Sequence, residues 1–255
     1  MNDFLENIKN IIDFFIRKNT KFSRRNYKEN NEDKTTIFDS ILLEKEQFLK
    51  KKYNLSCLDN STIQNYKENL YVLSVLDKYL KIDFAKECKI ADIGSKNWNY
   101  VKGEYIFFSK FADEVSLKGY EIDAYRLCTN LYSRYEIAQF YISSFSNVEY
   151  IEADFLKIDE KFDFITWFLP FIKKYSHQKW GLPASLFNPK GLLLHAYNSL
   201  NKNGKMLIIN QEIEEYNLQK EFLKDLSIDF DELGKVDNDF LELKKTRYGL
   251  LISKK

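Results

Sequence analysis

From residue 88 onward the chain alternates short apolar runs with helix-like segments, and each of the first three runs ends in an acid. The runs are CKIADIG, VSLKGYEID, NVEYIEAD, KFDFITWF and KMLIIN. CKIADIG is short and nearly continuous in apolar residues, the pattern of a strand buried on both faces. Helical character falls between them, around 104–113, in AYRLCTNLYSRYEIAQFYISSF and in PKGLLLHAYNSL, the last closed by Asn203-Gly204. This alternation predicts a mostly parallel sheet covered on both faces. At the end, DFLELKK and YGLLISKK read as two strands joined by a short turn, an antiparallel pair at the sheet edge.

Residues 1–80 have a different rhythm. Phe4, Ile8, Ile11, Ile12, Phe15 and Ile16 recur at helical spacing. A polar connector follows at 17–36, and helical periodicity returns in IFDSILLEKEQFLKKKY and STIQNYKENLYVLSVLDKYL. Ser61 or Thr62 supplies an N-cap for the last of these. The expected organisation is an α-helical N-terminal cap, 1–80, and an α/β domain of Rossmann-like type, 81–255.

Composition removes several classes. Thirty-nine basic residues against 38 acidic ones leave a net charge of +1, so no global field recruits nucleic acid. Cys57, Cys88 and Cys128 are scattered, which predicts reduced thiols and a cytoplasmic setting. No apolar run reaches the roughly 18 residues of a membrane span, and no membrane partner is expected. Asp3, Glu6 and Asp13 interrupt the N-terminus in a way unlike a signal peptide. No metal-ligand spacing is present, so no metal is expected.

Ligands of an open parallel sheet bind outside the carboxyl ends of its strands. Here those ends carry Asp92-Ile93-Gly94-Ser95, Gly119-Tyr120-Glu121-Ile122-Asp123, Glu152-Ala153-Asp154-Phe155 and Thr166-Trp167-Phe168-Leu169-Pro170-Phe171. Carboxylates at that edge suit a ribose diol, an exocyclic amine or a cation, and repel a phosphate.

The order strand–DIGS, strand–GYEID, strand–EAD, strand–FDFITWFLPF, strand–GKMLIIN resembles the class I S-adenosylmethionine-dependent methyltransferases over roughly 85–255. The resemblance implies S-adenosylmethionine as cofactor. It assigns Asp92, Gly94 and Ser95 to the loop under the methionine moiety and Glu121 to the ribose hydroxyls. Asp154 and Phe155 fall to the adenine, and Trp167 to the cofactor wall. Glu121 takes precedence over Asp123 because Gly119 precedes it by two residues, as in the family pattern; Asp123 then reads as a helix start. The family loop carries two or three glycines, whereas this one keeps only Gly94, followed by Ser95-Lys96-Asn97-Trp98-Asn99.

Where nucleobase amino-methyltransferases carry an Asn or Asp with two prolines, this chain has Phe168-Leu169-Pro170-Phe171. Phe168 offers no acceptor to an amine, which argues against DNA adenine methylation. Tyr100, Phe168, Phe171 and Trp180 form the expected acceptor pocket, an aromatic wall for a flat or greasy substrate. Trp98 reads equally as pocket wall or sheet packing, and Lys96 as a solvated side chain or a partner for the cofactor carboxylate. His177, in an irregular segment after the fourth strand, is the candidate general base; His195 reads as structural.

The expected activity is therefore methyl transfer to an unidentified acceptor, a small molecule. One alternative is an RNA methyltransferase that uses the basic segment 17–28, RKNTKFSRRNYK, with Phe22 and Tyr27. Another is a non-catalytic protein that holds the cofactor or its demethylated product. A Rossmann dehydrogenase is a third, but the loop lacks the glycines that a pyrophosphate needs.

Overall fold

The structure is a computed structural model, and it describes residues 2–24, 27–29, 40–237 and 239–255. Three helices come first: α1 (Asn2–Thr20), α2 (Ser40–Lys52) and α3 (Ile63–Tyr79). The alternating part follows as β1 (Ala85–Ile93), α4 (Val101–Phe108), β2 (Ala112–Glu121), α5 (Arg134–Ile142), β3 (Val148–Glu152) and β4 (Phe162–Phe168). It continues with α6 (Lys174–Lys179), α7 (Pro189–Ser199), β5 (Leu200–Gln211), α8 (Glu212–Asp225), β6 (Asp231–Val236) and β7 (Arg247–Ser253).

The strands form one seven-stranded sheet in the order β3-β2-β1-β4-β5-β7-β6. β1 to β5 are parallel, and β7 runs antiparallel between β5 and β6. The expected Rossmann-like sheet with an antiparallel C-terminal edge pair is therefore present, with helices ahead of it. The order reverses between β1 and β4, so the crevice of the fold opens where those two strands end.

Side chains alternate between two cores, one on each face. Ile90, Leu207 and Ile209 join α3, α4 and α5 on one side, while Ala91, Met206 and Ile208 join α7 and α8 on the other. Leu70, Leu73 and Leu76 of α3 are fully buried; each contributes about 1.5–3 kcal/mol by leaving water. Thr62 is the N-cap of α3, accepting from Asn65 N. Asn69 of α3 accepts from Gly103 N at 2.7 Å and donates to Asn99 O at 2.9 Å. A Cβ on Gly103 would stand 2.5 Å from Asn69 O, so α3 and α4 touch through that glycine.

Several boundaries differ from the sequence reading. DFLELKK is not a strand: Phe240, Leu241 and Leu243 pack from a loop onto the core, and the edge partner of β7 is Asp231–Val236. That strand is mostly exposed and bulged around Gly234, so it carries no apolar signature. α7 ends at Ser199, and Asn203-Gly204 lies inside β5 rather than past a helix. Of AYRLCTNLYSRYEIAQFYISSF only Arg134–Ile142 is helical, entered through a Ser133–Glu136 capping box. Asp123 starts no helix. α1 continues to Thr20, into the expected connector; the rest of that connector from 30 to 36, the start of IFDSILLEKEQFLKKKY (37–39), and Arg25 and Asn26 lie outside the described residues.

Candidate active site

The loop after β1 answers how one glycine can do the work of several. Gly94, Lys96 and Trp98 adopt φ of +70°, +55° and +47°. Two non-glycine residues thus take left-handed backbone, a state that costs energy unless neighbours impose it. Gly94 N and Ser95 N donate to Tyr120 O at 2.8 and 3.2 Å, and the Tyr150 hydroxyl donates to Lys96 O. Trp98 turns under the sheet edge, is fully buried, and donates from Nε1 to Glu104 at 2.9 Å. Of its two readings, sheet packing is the one the structure adopts.

Below the loop lie two buried acids. Asp92 accepts from the Tyr100 hydroxyl at 2.8 Å, and Thr166 Oγ1 stands 3.3 Å from Asp92 and 2.6 Å from Glu104. Tyr100 gives Asp92 a donor and Trp98 gives Glu104 one, while Thr166 has a single hydroxyl proton to share between the two. Burial raises both carboxyls, and the Glu104 charge raises Asp92 further. Asp92 and Ser95 are therefore supports beneath the crevice; neither lines it, and the Ser95 hydroxyl has no partner among the described residues.

Above them lies a cleft of about 130 Å³, open to solvent on one side. Gly94, Glu121, Asp154, Phe155, Trp167, Phe168, Phe171, His177 and Trp180, all singled out in the sequence, line it together. A Cβ on Gly94 would meet nothing within 4 Å, so the loop faces open space. Glu121 Oε1 accepts from Asp123 N at 2.9 Å and Arg134 Nη1 at 3.0 Å, and Oε2 accepts from Lys96 N at 2.9 Å. A carboxylate has about four acceptor positions, so one remains for a ligand. Asp154 Oδ1 accepts from Leu156 N at 3.1 Å. Phe155 is buried edge-on to Tyr120, with centroids 5.1 Å apart.

Sequence reading weighed Lys96 but missed Arg126 and Arg134. Lys96 Nζ lies 5.2 Å from the centre of a Trp180 ring, Arg134 Cζ 5.5 Å and Arg126 Cζ 5.9 Å. Lys96 is not the solvated side chain of one reading: burial, then Arg134, pushes its ammonium below the usual range. No spacing rule brings Arg126, Arg134 and Trp180 together; the fold does. His177 is buried against Phe171 and Phe187, and burial lowers its imidazole to about 4. At neutral pH it is uncharged and a weak base.

Tyr100 departs from its expected companions. With Phe168, 5.4 Å away edge-on, it lines a second cavity of about 270 Å³. Glu68 and Tyr71 of α3, together with Arg247, close that cavity. Lys96, Phe168 and Leu169 line both spaces and form the partition between them.

No known family profile and no curated protein sequence matches the chain. Among solved structures, it is similar to a methyltransferase from Pyrococcus furiosus. That match has a TM-score of 0.50 and 19% identity, and covers 73% of this chain and 82% of the other. The fold is that of the class I methyltransferases. A SAM dependent methyltransferase from Aquifex aeolicus also matches, with a TM-score of 0.49, 14% identity, and coverage of 85% of this chain and 99% of that one. The methyltransferase fold places its crevice at the β1–β4 reversal, where the first cleft lies. In the basic segment 17–28, Arg17 bonds Asp123, and Tyr27 packs edge-on to Tyr132 and Phe140 at 5.1 and 5.2 Å. Among the described residues no helix is long and apolar enough to cross a membrane.

Proposed function

We propose that the first cleft binds S-adenosylmethionine and that the protein transfers its methyl group to a small acceptor entering from the second cavity. The observation that carries this reading is Gly94, whose Cα faces open space on the same cleft as the Glu121 carboxylate. The donor set suits the cofactor. Glu121 keeps one acceptor position for a ribose hydroxyl, and Asp154 offers its second oxygen to an adenine amine. Phe155 and Trp167 supply apolar walls for a ring. Lys96, a residue of the loop itself, lines the cleft and suits a carboxylate.

When bound, the cofactor supplies an electrophilic methyl group on a positive sulfur. The chain's own contribution is to bring donor and acceptor together from two adjoining spaces that share Lys96, Phe168 and Leu169 as wall. Such alignment can supply much of the rate without a base, which fits a His177 that is a weak base at neutral pH. Lys96, Arg247 and Glu68 give the second cavity two cations and one acid, a setting for a small polar acceptor rather than a purely greasy one.

Calorimetry tests the reading. Glu121→Ala strands the buried Arg134, so Glu121→Gln is the better variant. Wild type should bind S-adenosylmethionine and S-adenosylhomocysteine in the micromolar range, and Glu121→Gln should weaken both about tenfold. No binding by folded wild type would refute the proposal. Binding without turnover across a broad acceptor screen would favour the non-catalytic alternative.

A further inference from the structure

α1 turns its polar side inward. Asn10 Nδ2 donates to the carbonyls of Gln178 and Leu182 at 2.8 and 3.3 Å. Asn7 Oδ1 accepts from Ala184 N at 2.8 Å. Arg17 donates to both Asp123 oxygens at 2.8 and 3.0 Å and to Gly181 O at 3.1 Å. These bonds fix which way the helix faces. The opposite side carries Phe4, Leu5, Ile8, Ile11, Ile12, Phe15 and Ile16, which are 38–70% exposed.

At roughly 100° per residue these seven side chains cover an arc of about 140°. A two-stranded coiled-coil seam needs only the narrow stripe of two positions per heptad; Leu5, Ile12 and Ile16 widen this one well beyond it. An apolar face of this breadth is uncommon on a free surface and marks an interaction site.

The charges around it are sorted. On the helical wheel Lys9 and Lys18 fall at the two edges of the arc, and both are exposed. Asp3, Glu6 and Asp13 fall on the polar half, where Glu6 pairs with Lys179 at 3.3 Å. Beyond the helix end, Phe22, Arg24 and Lys28 are exposed as well, while the exposed Lys21 pairs with Glu152 at 2.6 Å. A broad apolar arc edged by lysines and continued by cations is the pattern of a helix lying in a membrane interface. Long lysine stems can lie along the apolar face while their ammonium groups reach phosphates.

We propose that α1 docks the protein on an anionic phospholipid bilayer. Its apolar arc enters the boundary between headgroups and acyl chains, and Lys9 and Lys18 meet the phosphates. The expectation of no membrane contact rested on the lack of a spanning segment and does not extend to a helix lying flat. The docking is independent of methyl transfer. It also sets α6 and the 181–184 turn, which form part of the cleft wall, beside the bilayer, because α1 bonds to both.

The test is co-sedimentation of the full chain with phosphatidylcholine vesicles, with and without phosphatidylglycerol. Wild type should partition at least about tenfold more strongly onto the anionic vesicles, less so as salt rises. Ile12→Gln combined with Phe15→Gln should reduce partitioning by about tenfold or more, since two large apolar groups are withdrawn. Both positions point away from the Asn7–Asn10–Arg17 contacts, and an unchanged thermal midpoint would show that the fold survives. Lys9→Glu with Lys18→Glu should weaken binding to anionic vesicles only. Wild type that stays in solution with phosphatidylglycerol vesicles overturns the proposal. So does a dimer in sedimentation velocity, without vesicle binding, that Ile12→Gln/Phe15→Gln dissolves; the face would then belong to a second copy.

Discussion

The indole of Trp98 lies so close to Gly119 that a Cβ there would stand 2.8 Å from three of its ring carbons. Gly119 pairs in register with Asp92 of β1, so the contact locks the loop onto the second strand. Gly119→Ala forces either the indole or the strand to move. We expect a loss of about 1–3 kcal/mol, the scale of overpacking, read as a lower urea midpoint. If the cleft depends on that loop, ligand affinity falls with it.

The Asp92–Glu104 pair makes stability pH-dependent. Both carboxyls are raised in the folded state, so the fold holds a proton that the unfolded chain releases. Their contribution is complete below the ordinary carboxylate value of about 4.5 and is lost as pH rises through the raised values. Glu104→Gln removes one ionisable member while keeping an acceptor for Trp98. The variant should lose less stability than wild type between mildly acidic and mildly alkaline buffers, as measured by thermal midpoints.

His177 gives the opposite slope. Burial holds it neutral, with its pKa lowered from 6.5 to about 4. Its contribution is complete above 6.5 and is lost as pH falls from there through about 4. His177→Phe suits the cage of Phe171 and Phe187 and should flatten that acid limb of the stability curve. Retained methyl transfer in this variant, should a substrate be found, would exclude His177 as an essential base.

Arg17 tethers α1. Its guanidinium reaches Asp123, whose side chain is almost wholly buried. Arg17→Ala should loosen the helix by about 1.5–3 kcal/mol, the scale of hydrogen bonds to a charged group. Amide exchange should speed up in α1 while the amides of β1 and β4 keep their protection.

Much of this was legible in the residue order. The alternation of strand and helix segments by itself predicted the parallel sheet; the antiparallel end was expected from DFLELKK and YGLLISKK, and of these only the second is a strand. Glu121, Asp154 and the aromatic 167–171 segment could be placed at one edge because a strand end is a fixed place in such a sheet. Edge strands escape this logic. DELGKV is half exposed and packs only Leu233 and Val236 on the core, while DFLELKK has the right alternation and packs as a loop.

Tertiary structure decided the rest, because those features depend on partners distant in sequence. Asp92 ends a strand as Glu121 does, yet Tyr100 and Thr166 draw it beneath the cleft instead of into it. Lys96, Arg126 and Arg134 meet at Trp180 only when the loop after β1, the stretch from β2 into α5 and the end of α6 converge. Helical spacing determined that α1 would have one apolar face. Which way that face turns was decided by hydrogen bonds from Asn7, Asn10 and Arg17 to residues more than a hundred positions away. Buried polar groups must find partners, and only the folded chain supplies them.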